Sequence, residues 1–145
     1  MKNKRIIGSL ATVLALCIAS FLLGFKTAQP TPGYYLEHEQ DIKLDEPGTH
    51  DGGGSTTAFS FFSKVKDARI TFRKRILHSG SAIGYHFQKE QEIYYIISGN
   101  GELKMNGSTV PVTTGDAILT LPGSSHGLKP AGDNDLAVMI VYENQ

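Results

Sequence analysis

From position 58 onward the chain is built of short runs in which apolar and polar residues alternate, separated by turn-forming residues. This period of two predicts strands over 58–63, 69–77, 83–88, 92–98, 102–105, 108–112, 117–121, 127–129 and 136–142. Turns are signalled at Ser79-Gly80, Gly99-Asn100-Gly101, Asn106-Gly107, Thr114-Gly115 and Gly132-Asp133. Asn106-Gly107 is the strongest hairpin signal, because both central residues of the favoured turn must tolerate positive φ. The run 136–142 is nearly all apolar, as expected of a strand covered on both faces. No stretch after residue 29 sustains a helical period, so the pattern predicts an all-β sandwich or small barrel.

The first part of the chain has a different texture. Residues 6–25 carry no charge and follow the basic start Met-Lys-Asn-Lys-Arg, which is the pattern of a secretory signal peptide or, if uncleaved, a membrane anchor. Residues 29–57 hold Pro30, Pro32, Gly33, Pro47, Gly48 and the run Gly52-Gly53-Gly54, and read as a linker and Gly-rich arm. The expected layout is therefore 1–28 signal peptide or anchor, 29–57 linker and arm, and 58–145 barrel, exported to the periplasm or cell envelope. The single cysteine, Cys17, falls in the leader, so the exported part has no disulfide and depends on its core. The formal charge of zero also conceals an asymmetry. Without Lys2, Lys4, Arg5 and Lys26 the remainder carries about −4, which argues against a nucleic-acid partner.

Candidate chemistry lies in the middle strands. Residues two apart on a strand share a face, so His86 and Gln88 point one way and Tyr85 and Phe87 the other. The connection Lys89-Glu90-Gln91 turns the chain back, and Glu92 can face the same interior. His126 follows the tight turn at 121–125, which can re-aim a strand end towards that interior. Two imidazoles and a carboxylate would suit one divalent transition metal, with Fe, Mn, Ni, Co and Zn all admissible.

The segment from Gly80 through His86, Gln88 and Glu92 to Gly99 resembles the first motif of the cupin superfamily, with Gln88 where that motif has a second His. The segment from Gly115 through Gly123 to His126 is similar to the second motif, with its proline displaced to Pro122 and its terminal Asn replaced by Pro130. The resemblance covers residues 80–130. It implies a cupin double-stranded β-helix, or jelly-roll, barrel with a metal held by His86, Gln88, Glu92 and His126, and commonly a homodimer joined through its sheets. It fixes no reaction, since cupins include isomerases, lyases, dioxygenases and binding proteins.

The expectation is thus an exported metal-dependent enzyme acting on a small oxygen-rich molecule (sugar, uronate or carboxylic acid), against a non-catalytic module that binds such a molecule. His50, before the three glycines, is a candidate general base or else an exposed loop histidine. Tyr94 shares the parity of Glu92 and is a candidate substrate-binding hydroxyl or else a core tyrosine. Within Arg73-Lys74-Arg75 at least one side chain must face the pocket and could pair with an anionic ligand. The competing and favoured explanation is a basic strand that guards a sheet edge. His38 and His78 read as surface and structural residues, and Ile83, Phe87, Ile93, Ile97, Leu119, Val138 and Ile140 as packing residues.

Overall fold

The computed structural model describes residues 33–144. The expected leader, residues 1–28, and its membrane-anchoring stretch 6–25 lie outside them. After a single helical turn, α1 (Glu39–Ile42), come ten strands: β1 (Lys43–Gly48), β2 (Gly53–Phe61), β3 (Ile70–Leu77), β4 (Ile83–Phe87) and β5 (Glu92–Ser98), then β6 (Asn100–Met105), β7 (Ser108–Thr113), β8 (Ala117–Thr120), β9 (Ser125–Pro130) and β10 (Leu136–Glu143). They form a six-stranded sheet in the order β1-β2-β3-β10-β5-β8 and a four-stranded sheet in the order β4-β9-β6-β7, and every pairing is antiparallel.

Alternation decides what lies between the sheets. On β5, Glu92, Tyr94 and Ile96 are buried while Ile93 and Tyr95 are exposed. On β10, which is paired on both sides, Leu136, Val138 and Ile140 face inward and join Leu77, Ile83, Ile96, Leu103, Val112 and Leu128 in one core cluster. Each fully buried aliphatic side chain contributes about 1.5–3 kcal/mol, so this layer is the main source of stability.

Four expected packing residues are not in that layer: Ile97 is only half-buried and outside the cluster, and three others are exposed. Phe87, Ile93 and Leu119 are 59%, 44% and 54% exposed. Hydrophobicity alone placed them inside, whereas their parity turns them outward. Ile93 and Leu119 share the outer face of the large sheet with Ile70, Phe72 and Tyr95, where an open concavity of about 760 Å³ lies over Ile70, Ile93, Leu119 and Val141.

The stretch expected as a linker and arm contains β1 and the start of β2, which begins at Gly53 rather than Ala58. Polar β1 carries Pro47, which an edge strand tolerates because one side of its backbone needs no partner. The β1–β2 hairpin closes at Thr49–Gly52, where Gly52 N–H donates to Thr49 O at 3.0 Å. His50 and Asp51 have φ of 53° and 58°, the sign pattern of a type I′ turn.

That turn is docked on β4: Gly84 N–H donates to Thr49 O at 2.8 Å. A Cβ on Gly84 would lie 1.8 Å from His50 O, and one on Gly52 would lie 2.0 Å from Ala82 O. Both contacts are backbone to backbone, so no side chain can swing aside to relieve them. Gly84→Ala is therefore expected to lift the turn off β4 and cost about 1–3 kcal/mol, as overpacking does. A fall in the urea midpoint at constant m-value would register it, and an unchanged midpoint would show that the turn is not held there.

Candidate metal centre

The two histidines meet across neighbouring strands. His86 on β4 and His126 on β9 are register partners, with ring centroids 4.6 Å apart. Strict alternation would not allow this, because Ile83 is buried and His86, three residues on, would then face outward. A one-residue irregularity between Ile83 and His86 resets the phase. Ile83 and His86 therefore both reach the interior, while Tyr85 and Phe87 are exposed. Glu92 opens β5 in the opposite sheet, and His86, Glu92 and His126 each offer a ligand atom within 4.8 Å of the others.

The polar atoms of this group fit a shared cation. His126 is fully buried and Glu92 nearly so, and His126 Nε2 lies 3.1 Å from Glu92 Oε2. Despite that separation the alignment makes no hydrogen bond, and both atoms are buried without a hydrogen-bond partner. An orphaned buried polar atom costs about 1–3 kcal/mol, so two of them facing one another call for a third group between them. The far side of each ring is already engaged. His86 Nδ1 is 2.8 Å from Gly84 O, and since a carbonyl only accepts, Nδ1 carries the proton and Nε2 the lone pair. Thr120 Oγ1, 3.1 Å from His126 Nδ1, holds the second ring in the same way when the hydroxyl accepts. Fixing an imidazole through its distal nitrogen is how metal-binding histidines are oriented. Two imidazole nitrogens and one carboxylate suit a first-row divalent ion.

A cavity of about 250 Å³ opens on this cluster. Gln88 lines it and is buried, and its backbone is bonded to the β8–β9 turn through Gln88 N–H to Ser124 O (2.8 Å) and Gly123 N–H to Gln88 O (2.9 Å). These bonds hold the end of β4 beside the turn that delivers His126. His50 lines the cavity as well, and its ring stacks on His86 with centroids 3.5 Å apart and planes 3° from parallel. Burial, and then the neighbouring His86, lower the pKa of His50, although one side of the residue remains exposed. Tyr94 belongs to the core cluster and also lines the cavity, with its ring 5.1 Å from that of His126. Burial, reinforced by the negative charge of Glu92, pushes its phenol well above the ordinary value. It therefore stays a neutral hydrogen-bond donor.

The basic run on β3 divides between two faces. Lys74 points outward, bonded to Glu39 at 2.8 Å and lying over the Phe59 ring. Arg73 and Arg75 point inward and line the cavity. The edge-guarding explanation is set aside, because β3 lies between β2 and β10 and has no free edge. Arg75 is fully buried, donates to Thr56 Oγ1 at 2.7 Å and is ion-paired with Glu46. His78 bridges Asp135 (2.9 Å) and Thr57 (3.0 Å) near the surface, away from the cavity, and His38 is an exposed residue preceding α1. Thr120, Thr56 and Glu46 were missed by sequence reasoning. Their only signal was strand parity, which also marks many residues with no role.

Comparison with known proteins agrees with this architecture. Residues 74–142 match the cupin domain family. An oxalate-binding protein of Thermotoga maritima is 39% identical over 71 residues, which are 48% of this chain; the match spans only 59% of that protein's length. The crystal structure of a predicted oxalate decarboxylase of Thermotoga maritima superposes with a TM-score of 0.68 at 27% identity, covering 77% of this chain and all of that one. A cupin 2 conserved barrel domain protein of Salinispora arenicola superposes with a TM-score of 0.60 at 19% identity, covering 79% and 91% of the two chains. Two antiparallel sheets enclosing a His-His-Glu cluster, together with these likenesses, give the described chain the cupin jelly-roll fold, with residues 74–142 matching the cupin domain.

Proposed function

We propose that this chain is an exported metal-dependent cupin enzyme acting on a small oxygen-rich molecule such as a sugar, uronate or carboxylic acid. The observation that carries the proposal is the pair of orphaned buried atoms, Glu92 Oε2 and His126 Nε2, beside His86. These three residues would hold the ion, with Gln88 as a weaker neutral fourth donor at the cavity wall. Bound there, a divalent metal would supply Lewis-acid polarisation of a carbonyl or carboxylate oxygen. A cavity of about 250 Å³ admits a molecule of a few heavy atoms and excludes a polymer. The oxalate-binding relative is named for a ligand of that size and chemistry.

The chain's own residues would then handle the proton and the orientation. His50, stacked on His86 at the cavity wall, is placed to accept a proton from a ligand bound at the cluster. The neutral Tyr94 hydroxyl can donate to a ligand oxygen. Isomerisation, elimination and decarboxylation are all compatible with this set, whereas dioxygenase chemistry would require iron.

A second reading, a non-catalytic binding module, is favoured by one observation: Gln88 replaces an imidazole with a weaker donor. Thermal denaturation separates the two. The enzyme reading expects Mn(II) or Zn(II) to stabilise the chelator-treated protein, by about 2.7 kcal/mol at 100 times Kd, and small acids to stabilise it further only in the presence of metal. Stabilisation by the same acids in excess chelator would select the module.

A further inference from the structure

We infer that Arg73 is the anion-binding arm of this cavity, and that the ligand it selects is a small dicarboxylate with one carboxylate at the His86, Glu92 and His126 cluster and the other on Arg73. The inference rests on the metal reading of that cluster and adds the charge and shape of the ligand.

Strand parity sets the direction, since Arg73, Arg75 and Leu77 share the inner face of β3. The two arginines differ in commitment. Arg75 has its terminal nitrogens occupied by Thr56 and Glu46, although its Nε too is buried without a partner. Arg73 makes no ion pair among the described residues, and its Nε is buried without a hydrogen-bond partner. Leaving that one N–H unsatisfied is costly unless a ligand reaches it.

Register gives its distance from the cluster. Arg73 pairs with Ile140, which pairs with Tyr94, while Glu92 pairs with Tyr142, which pairs with Thr71. Arg73 therefore lies two strands across and two residues along from Glu92, about 12 Å between Cα atoms. Both side chains turn into the cavity and shorten that gap to a span that a small diacid can bridge.

Charge points the same way. Glu46 offsets Arg75, and Glu90 offsets Lys89 at the rim. A divalent ion with Glu92 leaves one positive charge, and Arg73 leaves a second. A dianion would neutralise both, and the planar fork of arginine matches a carboxylate in two parallel hydrogen bonds.

The test uses the full-length protein, stripped with chelator and reloaded with Mn(II). Metal content is measured by elemental analysis and malonate, acetate and glycerol binding by calorimetry. Wild type is expected to bind malonate more tightly than acetate, and glycerol weakest. Arg73→Gln should keep wild-type metal content and lose about 10- to 100-fold in malonate affinity, with acetate little changed. Arg73→Lys, which keeps the charge but not the fork, should fall between and shows that the position tolerates substitution. Equal malonate affinity in wild type and Arg73→Gln at equal metal content would overturn the inference. Arg73-dependent malonate binding by a wild type that takes up no metal would keep Arg73 as the anion arm and overturn the metal reading instead.

Discussion

Glutamine at position 92 is expected to abolish metal uptake while leaving the metal-free protein at least as stable as wild type. Glu92 is buried, and its Oε2 has no hydrogen-bond partner although His126 Nε2 is 3.1 Å away. Glu92→Gln keeps the shape, removes the buried charge and introduces an N–H that can donate to the His126 lone pair. It thereby replaces an orphaned pair with a hydrogen bond worth about 1 kcal/mol. The same change deletes the only charged donor of the cluster, so affinity should fall by more than the roughly 10- to 100-fold seen on losing an orienting partner. His126→Ala should lose metal equally but also destabilise the fold, because it empties a fully buried position between Tyr94, His86 and Thr120. Gln88→Ala should cost less metal than either. Elemental analysis of the three variants alongside denaturant melts reads both effects. Wild-type metal content in Glu92→Gln would end the case for this centre.

The second large effect concerns stability. Glu46→Ala is expected to cost about 3–5 kcal/mol, the range for stranding one member of a buried ion pair. Arg75 is fully buried, and Glu46 is its only carboxylate partner among the described residues. Because the Glu46 side chain keeps 31% exposure, water can partly replace it, and the lower end of that range is expected. The loss should also reach the cavity. Glu46, Thr56 and Arg75 tie β1 to β3 across β2, and the β1–β2 turn carries His50. Combining Arg75→Met with Glu46→Leu removes both charges and should recover most of the stability. Equal melts for Glu46→Ala and wild type would show that Arg75 is solvated in some other way.

Strand pattern and ligand spacing made much of this molecule legible before any coordinates. Nine of its strands follow from period-two alternation and turn residues, and His86, Glu92 and His126 stand at spacings that converge. What escaped did so for physical reasons. β1 is polar and contains a proline, because an edge strand is held by one neighbour and packs little, so composition marked it as a loop. The run Arg73-Lys74-Arg75 could not be divided between its faces and read as an edge guard, because which member turns inward is set by register against β10, a strand remote along the chain. Ile93 and Leu119 were assigned to the core on hydrophobicity although they sit on the opposite face.

The irregularity in β4 makes the centre tolerant of more than one kind of genetic change. Substituting Tyr85, whose side chain faces solvent, should be nearly silent for the ligands. Deleting that one residue would remove the extra position, leaving His86 two residues after Ile83 and still opposite His126 by plain alternation, with Phe87 outward and Gln88 inward. In evolutionary terms the site can drift along this strand both by replacement and by the loss of that one codon.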